Sequence, residues 1–243
     1  MSLLALKKGN KMSSQSTMLP IITIDGPAGS GKGTISQRVA DALGLHILDS
    51  GALYRLVALT VLQKNISPIC ADNEAEIYQL AEKLDAVFLS TDEGEVKILL
   101  EDKDVTQAIR AEECGKTASQ VAALKTVRKA LLTRQRNFLQ APGLVADGRD
   151  MGTIVFPDAK LKIFLTASAE IRAKRRLNQL KEQGINANLH GLIRDIEERD
   201  TRDMQRKDAP LVPAADAITI DTSKLNIDEV VALVLKAHKK AYL

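Results

Sequence analysis

The sequence predicts an α/β fold, a five-stranded parallel sheet with helices on both faces. Two observations predict it. Five short apolar runs end in polar or turn residues: IITID (21–25), HILDS (46–50), LVAD (144–147), KIFLTAS (162–168) and AITIDTS (217–223). Helix-like stretches separate four of them, and near-continuous apolar strands alternating with helices belong to parallel sheets covered on both faces. In addition, a glycine-rich loop, GPAGSGKGT (26–34), directly follows the first run. Strand, glycine loop, helix is the context of a phosphate-binding loop.

Each element follows in order. Residues 1–18 read as a polar, disordered leader without the apolar stretch of a signal peptide. Residues 19–243 read as a single domain with core segments 19–66, 121–170 and 211–243. A helix over Ile35–Leu43 follows the glycine loop. The gap between the second and third strands is too long for one crossover, so about 67–120 is an insertion. Within it, two alternating stretches around Asp92-Glu93-Gly94 predict a β-hairpin. A second, strongly charged insertion spans about 171–210, with helical patterns over 169–181 and 189–206 broken at Gly184, Asn186 and Asn188. Ile227, Val230, Val231 and Val234 form one apolar stripe, which predicts a C-terminal helix lying on the sheet.

Composition narrows the function classes. The 34 Lys and Arg nearly balance 31 Asp and Glu, which suits small anionic ligands better than long nucleic acid. Aromatics make up only 3% and Trp is absent, against a base-stacking platform. Cys70 and Cys114 stand alone, as reduced thiols of a cytoplasmic protein do. No apolar run approaches the ~20 residues that span a bilayer, so no membrane partner is expected. His46, His190 and His238 are scattered, with no general-base pattern.

The loop carries the first chemistry. Gly26, Pro27, Ala28, Gly29, Ser30, Gly31, Lys32, Gly33 and Thr34 are its candidate phosphate ligands. Glycines let backbone N–H groups turn inward, and the following helix adds a favourable dipole. Lys32 would reach the β- and γ-phosphates of a nucleotide. The usual pattern has Ser or Thr directly after the lysine, where its hydroxyl contacts Mg²⁺; here Gly33 stands there and Thr34 follows. Mg²⁺ is then expected on ATP phosphates and water, with direct protein ligands unassigned.

Three more stretches supply an acceptor site. The second strand runs into DSGALYR (49–55) and the third into DGRDMGT (147–153), and ligands of open α/β sheets bind beyond the carboxyl ends of the strands. Arg55 and Arg149 suit a phosphate because the guanidinium fork grips two oxygens. In ERDTRDMQR (198–206), Arg199, Arg202, Asp203 and Arg206 have helical spacing on one mostly positive face. An anion between them relieves that repulsion.

The combination GPAGSGKGT, DSGALYR, ASQVAA (118–123), VADGRDMGT, KIFLTAS and APLVPAADA (209–217) resembles the bacterial cytidylate kinases, nucleoside monophosphate kinases of the P-loop class. The resemblance implies an ATP- and Mg²⁺-dependent kinase of CMP and dCMP, working as a cytoplasmic monomer. It makes the first insertion an NMP-binding subdomain and the second a short lid. It implies that Ser50, Arg55, Arg149 and Arg206 hold the CMP phosphate, that Ser119, Arg128 and Asp150 read cytosine, and that Asp203 and Arg199 bind ribose. Lys32, Arg149, Arg206 and Arg202 would be catalytic, with Arg175 a further lid candidate. Asp147 resembles the acidic residue that positions metal-bound water. Two other readings stay open: a kinase for UMP, AMP or shikimate, and a nucleotide-dependent RNA-binding switch with salt-sensitive RNA binding.

Overall fold

The computed structural model describes residues 19–90, 96–182 and 184–242. In chain order it has β1 (Ile21–Asp25), α1 (Lys32–Leu43), β2 (His46–Asp49), α2 (Ser50–Gln63), α3 (Glu74–Glu82), β3 (Ala86–Ser90), β4 (Val96–Leu100) and β5 (Lys103–Asp104). Then follow α4 (Glu112–Val121), α5 (Lys125–Arg136), β6 (Leu144–Gly148), β7 (Leu161–Thr166), α6 (Ala169–Glu182), α7 (Leu189–Met204), β8 (Ile218–Asp221) and α8 (Ile227–Tyr242).

The main sheet has five parallel strands in the order β2-β6-β1-β7-β8. β1 therefore lies at its centre, with Asp25 in register with Gly148 on one side and Phe164 on the other. Alternate side chains feed two apolar layers. Leu144 and Ala146 pack with Leu53, Leu56, Val57 and Leu131 on one face. Val145, Ile22 and Ile24 pack with Ile35, Val39, Val230 and Val234 on the other. Period-two alternation with both sets apolar is what a doubly covered sheet requires.

The five expected strands are present with ends shifted by a residue or two. Ser50, expected at the end of a strand, instead opens α2, because the Asp49 carboxylate accepts the Ala52 N–H at 3.0 Å and caps that helix. The expected hairpin is β3 and β4, antiparallel from Ala86↔Leu100 to Ser90↔Val96. Its turn at Asp92-Glu93-Gly94 lies outside the described residues, as does the leader, 1–18. A third strand, β5, joins this small sheet. The C-terminal helix buries Val230, Val231 and Val234, while Ile227, in its first turn, stays exposed. Among the described residues no helix is long and apolar enough to cross a membrane.

Candidate active site

The glycine loop joins the central strand to α1, so it lies at the carboxyl edge of the sheet. Gly26 is fixed by close approach: a Cβ there would stand 2.1 Å from the Leu165 carbonyl oxygen. Lys32 opens α1, is buried, and donates from Nζ to the Pro27 carbonyl of its own loop at 3.0 Å. The Asp147 carboxylate, near the end of β6, stands 4.0 Å from Nζ. Burial lowers the Lys32 ammonium to about 8, helped by Arg149 and opposed by Asp147. Burial likewise raises Asp147 to about 6 against the pull of Lys32.

Beside the loop lies a cavity of about 210 Å³. Its walls include Lys32, Ser50, Arg55, Ser119, Arg128, Arg149, Asp150, Arg199, Asp203 and Arg206. The structure thus brings together nine of the residues expected at the acceptor site, from five separate stretches of chain. Asp203 is the hub. Its Oδ2 accepts from Arg149 Nε at 3.1 Å, and its Oδ1 accepts from Arg206 and, at 3.5 Å, from Ser119 Oγ. Burial alone would raise this carboxyl, but Arg149, Arg206 and Arg199 together hold it below the usual range. On the other side Arg128 donates to Asp150, whose carboxyl is raised chiefly by burial. Arg55 donates to the Ile109 carbonyl at 2.7 Å, which ties α2 to the turn ahead of α4.

Several buried donors remain unpartnered: Arg128 Nη1, Arg199 Nε, Arg206 Nε and the Ser30 hydroxyl. Buried guanidinium donors are expensive to leave unpaired. The three arginines line one cavity, whose free guanidinium donors suit a ligand rich in anionic and carbonyl oxygens, whereas Ser30 lies outside its walls.

Arg202 does not join them. It is exposed and outside the cavity wall, whereas its helix-mate Asp203 is buried. At ~100° per residue, Arg202 sits on the flank of the stripe defined by Arg199 and Asp203, and Arg206 reaches the cavity from two residues beyond the helix end at Met204. The expectation that all four share one inward face is corrected to three. Arg175 points elsewhere too: it donates to the Thr222 carbonyl at 2.5 Å, to Thr222 Oγ1 at 3.1 Å and to the Ser30 carbonyl at 3.5 Å. It braces the glycine loop, not the acceptor cavity.

Two residues escaped the sequence reading. Tyr54 lines the cavity, with the Arg128 guanidinium 5.8 Å from its ring centroid, and burial pushes its phenol up to about 12. Its place one residue before Arg55 was the available signal. Arg172 is buried and donates to the Ala28 carbonyl of the loop at 3.1 Å, to the Ala167 carbonyl at 2.9 Å and to both oxygens of Asp200. In a segment so rich in arginine, nothing marked it as the inward one.

For Mg²⁺, the observation at Gly33 matters. A Cβ there would stand 3.6 Å from Asp147 Oδ2. The carboxylate therefore occupies the neighbourhood that a Ser or Thr hydroxyl would otherwise serve, and an oxygen donor suits that ion. Among the described residues no group of three or more His, Cys, Asp or Glu side chains could hold a metal unaided.

The family model described as Cytidylate kinase matches residues 22–240. A cytidylate kinase of Marinomonas sp. (strain MWYL1) is 57% identical over 224 residues, which cover 92% of this chain and 97% of its own. One from Shewanella loihica is 54% identical over 221 residues, 91% of this chain and 95% of its own. Among solved structures, a gluconokinase from Sinorhizobium meliloti 1021 superimposes with a TM-score of 0.45 at 13% identity, covering 92% of this chain and 93% of that one. Phosphate loop, arginine-lined cavity and near-full-length identity agree, and the chain belongs to the cytidylate kinase family.

Proposed function

We propose that this protein transfers the γ-phosphoryl group of ATP to the α-phosphate of CMP and dCMP. The observation that carries the reading is the set of unpartnered buried donors, on Arg128, Arg199 and Arg206, around a small cavity next to the glycine loop. Cytosine offers an N4 amino donor with N3 and O2 acceptors, which the Asp150 carboxylate and the Arg128 guanidinium complement. Arg55, Arg149, Arg206 and Ser50 take the acceptor phosphate, and Asp203 with Arg199 takes the ribose hydroxyls.

No side chain needs to act as a nucleophile. The acceptor phosphate oxygen attacks in line, and the protein contributes position and charge neutralisation. Lys32 exchanges its bond to the Pro27 carbonyl for phosphate oxygens. Arg149 and Arg206 exchange Asp203 for the acceptor phosphate, and the charge spread over the transferring group meets guanidinium donors already in place. Mg²⁺, when bound, would supply further charge neutralisation on the triphosphate, and Asp147 would hold its water shell. We assign residues of about 67–120 to acceptor binding and of about 171–210 to a lid whose closure excludes water. We assign the enzyme to the cytoplasm and to a monomeric state.

The test is a coupled assay of ADP release with ATP–Mg²⁺ and, in turn, CMP, dCMP, UMP, AMP and shikimate. Turnover confined largely to CMP and dCMP is expected. Preference for another acceptor keeps the kinase chemistry and removes the base-reading roles of Ser119, Arg128 and Asp150. Absence of any acceptor-dependent turnover overturns the proposal.

A further inference from the structure

Asp25 is the last residue of the central strand and immediately precedes Gly26 of the glycine loop. It is buried, and among the described residues it pairs with no cation within ion-pair distance. Its two carboxylate oxygens each accept one backbone N–H, from Met151 and from Gly152, both at 2.8 Å. Those two residues directly follow Arg149 and Asp150 in the chain and open a π-helical turn, Met151–Val155.

The turn has an unusual cap. Asp150 occupies its N-cap position, where an aspartate ordinarily folds back onto the next N–H groups. Here the Asp150 side chain makes no such bond. Its carboxylate instead receives Arg128 and faces the acceptor cavity. The Gly152 N–H that such a cap could satisfy, and the Met151 N–H beside it, are both taken by Asp25, 127 and 126 residues away in sequence. Burying a carboxylate without a counter-cation is costly, and burial raises the Asp25 carboxyl to about 7 against the effect of its two N–H bonds. A cost of that kind is retained where the group does something an apolar residue cannot.

We infer that Asp25 is a positioning residue for the acceptor: by capping the 151–155 turn from the neighbouring strand, it frees Asp150 to hold Arg128 and face the base, and fixes Arg149 beside it. The inference rests on the reading of this cavity as the acceptor site. Asp25 touches no substrate; it acts through Asp150 and Arg149.

The experiment compares Asp25→Asn and Asp25→Ala with the wild type. Asn keeps one acceptor oxygen and turns an amide N–H₂ toward the other backbone N–H; Ala removes both acceptors. KM for CMP is expected to rise about tenfold in the first and further in the second, with KM for ATP within about twofold. Val234→Ala, in the apolar layer on the opposite face and remote from the cavity, serves as the destabilised control. It should lower the melting temperature and leave KM for CMP unchanged. A joint rise of both KM values, or no rise for CMP, overturns the inference. Hydrogen exchange on the wild type gives a second arm that needs no variant and no turnover. The Met151 and Gly152 amides should exchange no faster than those of β6; faster exchange overturns the clamp itself. If the wild type fails to turn over CMP but these amides are protected, the acceptor reading fails and the clamp stands.

Discussion

Arg149 and Asp203 lie 54 residues apart in sequence and meet at 3.1 Å, inside the cavity assigned to the acceptor. The carboxylate at the centre of this arginine cluster is 1% exposed and serves as its internal counter-anion. Asp203→Asn removes that charge while preserving shape. Breaking a buried pair this way costs about 3–5 kcal/mol. The melting temperature in phosphate-free buffer should fall by several degrees, and inorganic phosphate should raise it more in the variant than in the wild type. Equal shifts in the two proteins contradict the counter-anion role. The measurement is thermal unfolding with and without phosphate.

Arg128 and Asp150 are both buried and bonded to one another. Asp150→Asn leaves the guanidinium with a neutral neighbour and changes what the cavity offers to an exocyclic amine. Discrimination carried by a buried hydrogen-bonding group is large, so kcat/KM for CMP should drop by about two orders of magnitude or more. The ratio of CMP to UMP turnover should narrow at the same time, and KM for ATP should stay level. Steady-state kinetics with both acceptors decide this.

Lys32→Met removes a positioned cation from the transferring phosphate. A loss of about a hundred- to a thousandfold in kcat is expected, as for deletion of a single preorganised donor. The wild type should also show an alkaline limb. With the Lys32 ammonium at about 8 in the free protein, kcat/KM for ATP falls as pH rises through that value. Stability moves the other way. Between about 8 and the ordinary 10.5, the unfolded chain holds a proton that the folded chain has released. Resistance to unfolding attributable to Lys32 therefore rises with pH across that window, and the methionine variant lacks this contribution. Kinetic profiles and denaturant titrations at a series of pH values test both signs.

Gly148 is a matter of space. A Cβ added there would stand 2.7 Å from both Ser50 Oγ and Met151 Cγ. Gly148→Ala must push Ser50 or the turn at Met151 aside. We expect a rise in KM for CMP together with a stability loss of about 1–3 kcal/mol, the usual cost of overpacking. Unchanged CMP kinetics contradict the assigned role of Ser50.

Much of this was legible in the chain, for physical reasons. β1, β6 and β7 are buried on both faces, and such strands are continuous apolar runs that periodicity finds. The glycine loop is legible because its backbone needs glycine. Helical spacing placed Arg199, Asp203 and Arg206 together, but it could not separate Arg202, which differs by a modest rotation on the same helix. β5 is two residues long, too short for any pattern. The Asp25 bonds were invisible because they join a side chain to backbone N–H groups, and a backbone donor leaves no residue type to read. Ser119 and Arg128 carry no local pattern that marks a site, and in the sequence only the family resemblance points to them. Only the packing of α4 and α5 against the core turns them inward.

The strand order has a consequence for the protein's birth. β1 is made first, yet both of its partners, β6 and β7, are encoded after residue 143. A nascent chain on the ribosome thus carries an apolar strand and a phosphate loop with nothing to pair against until well over half of it has been synthesised. Long-range parallel pairing is slow and leaves sticky edges exposed meanwhile. The same centrality that seats the loop at the middle of the finished sheet leaves its first strand without a partner for most of translation.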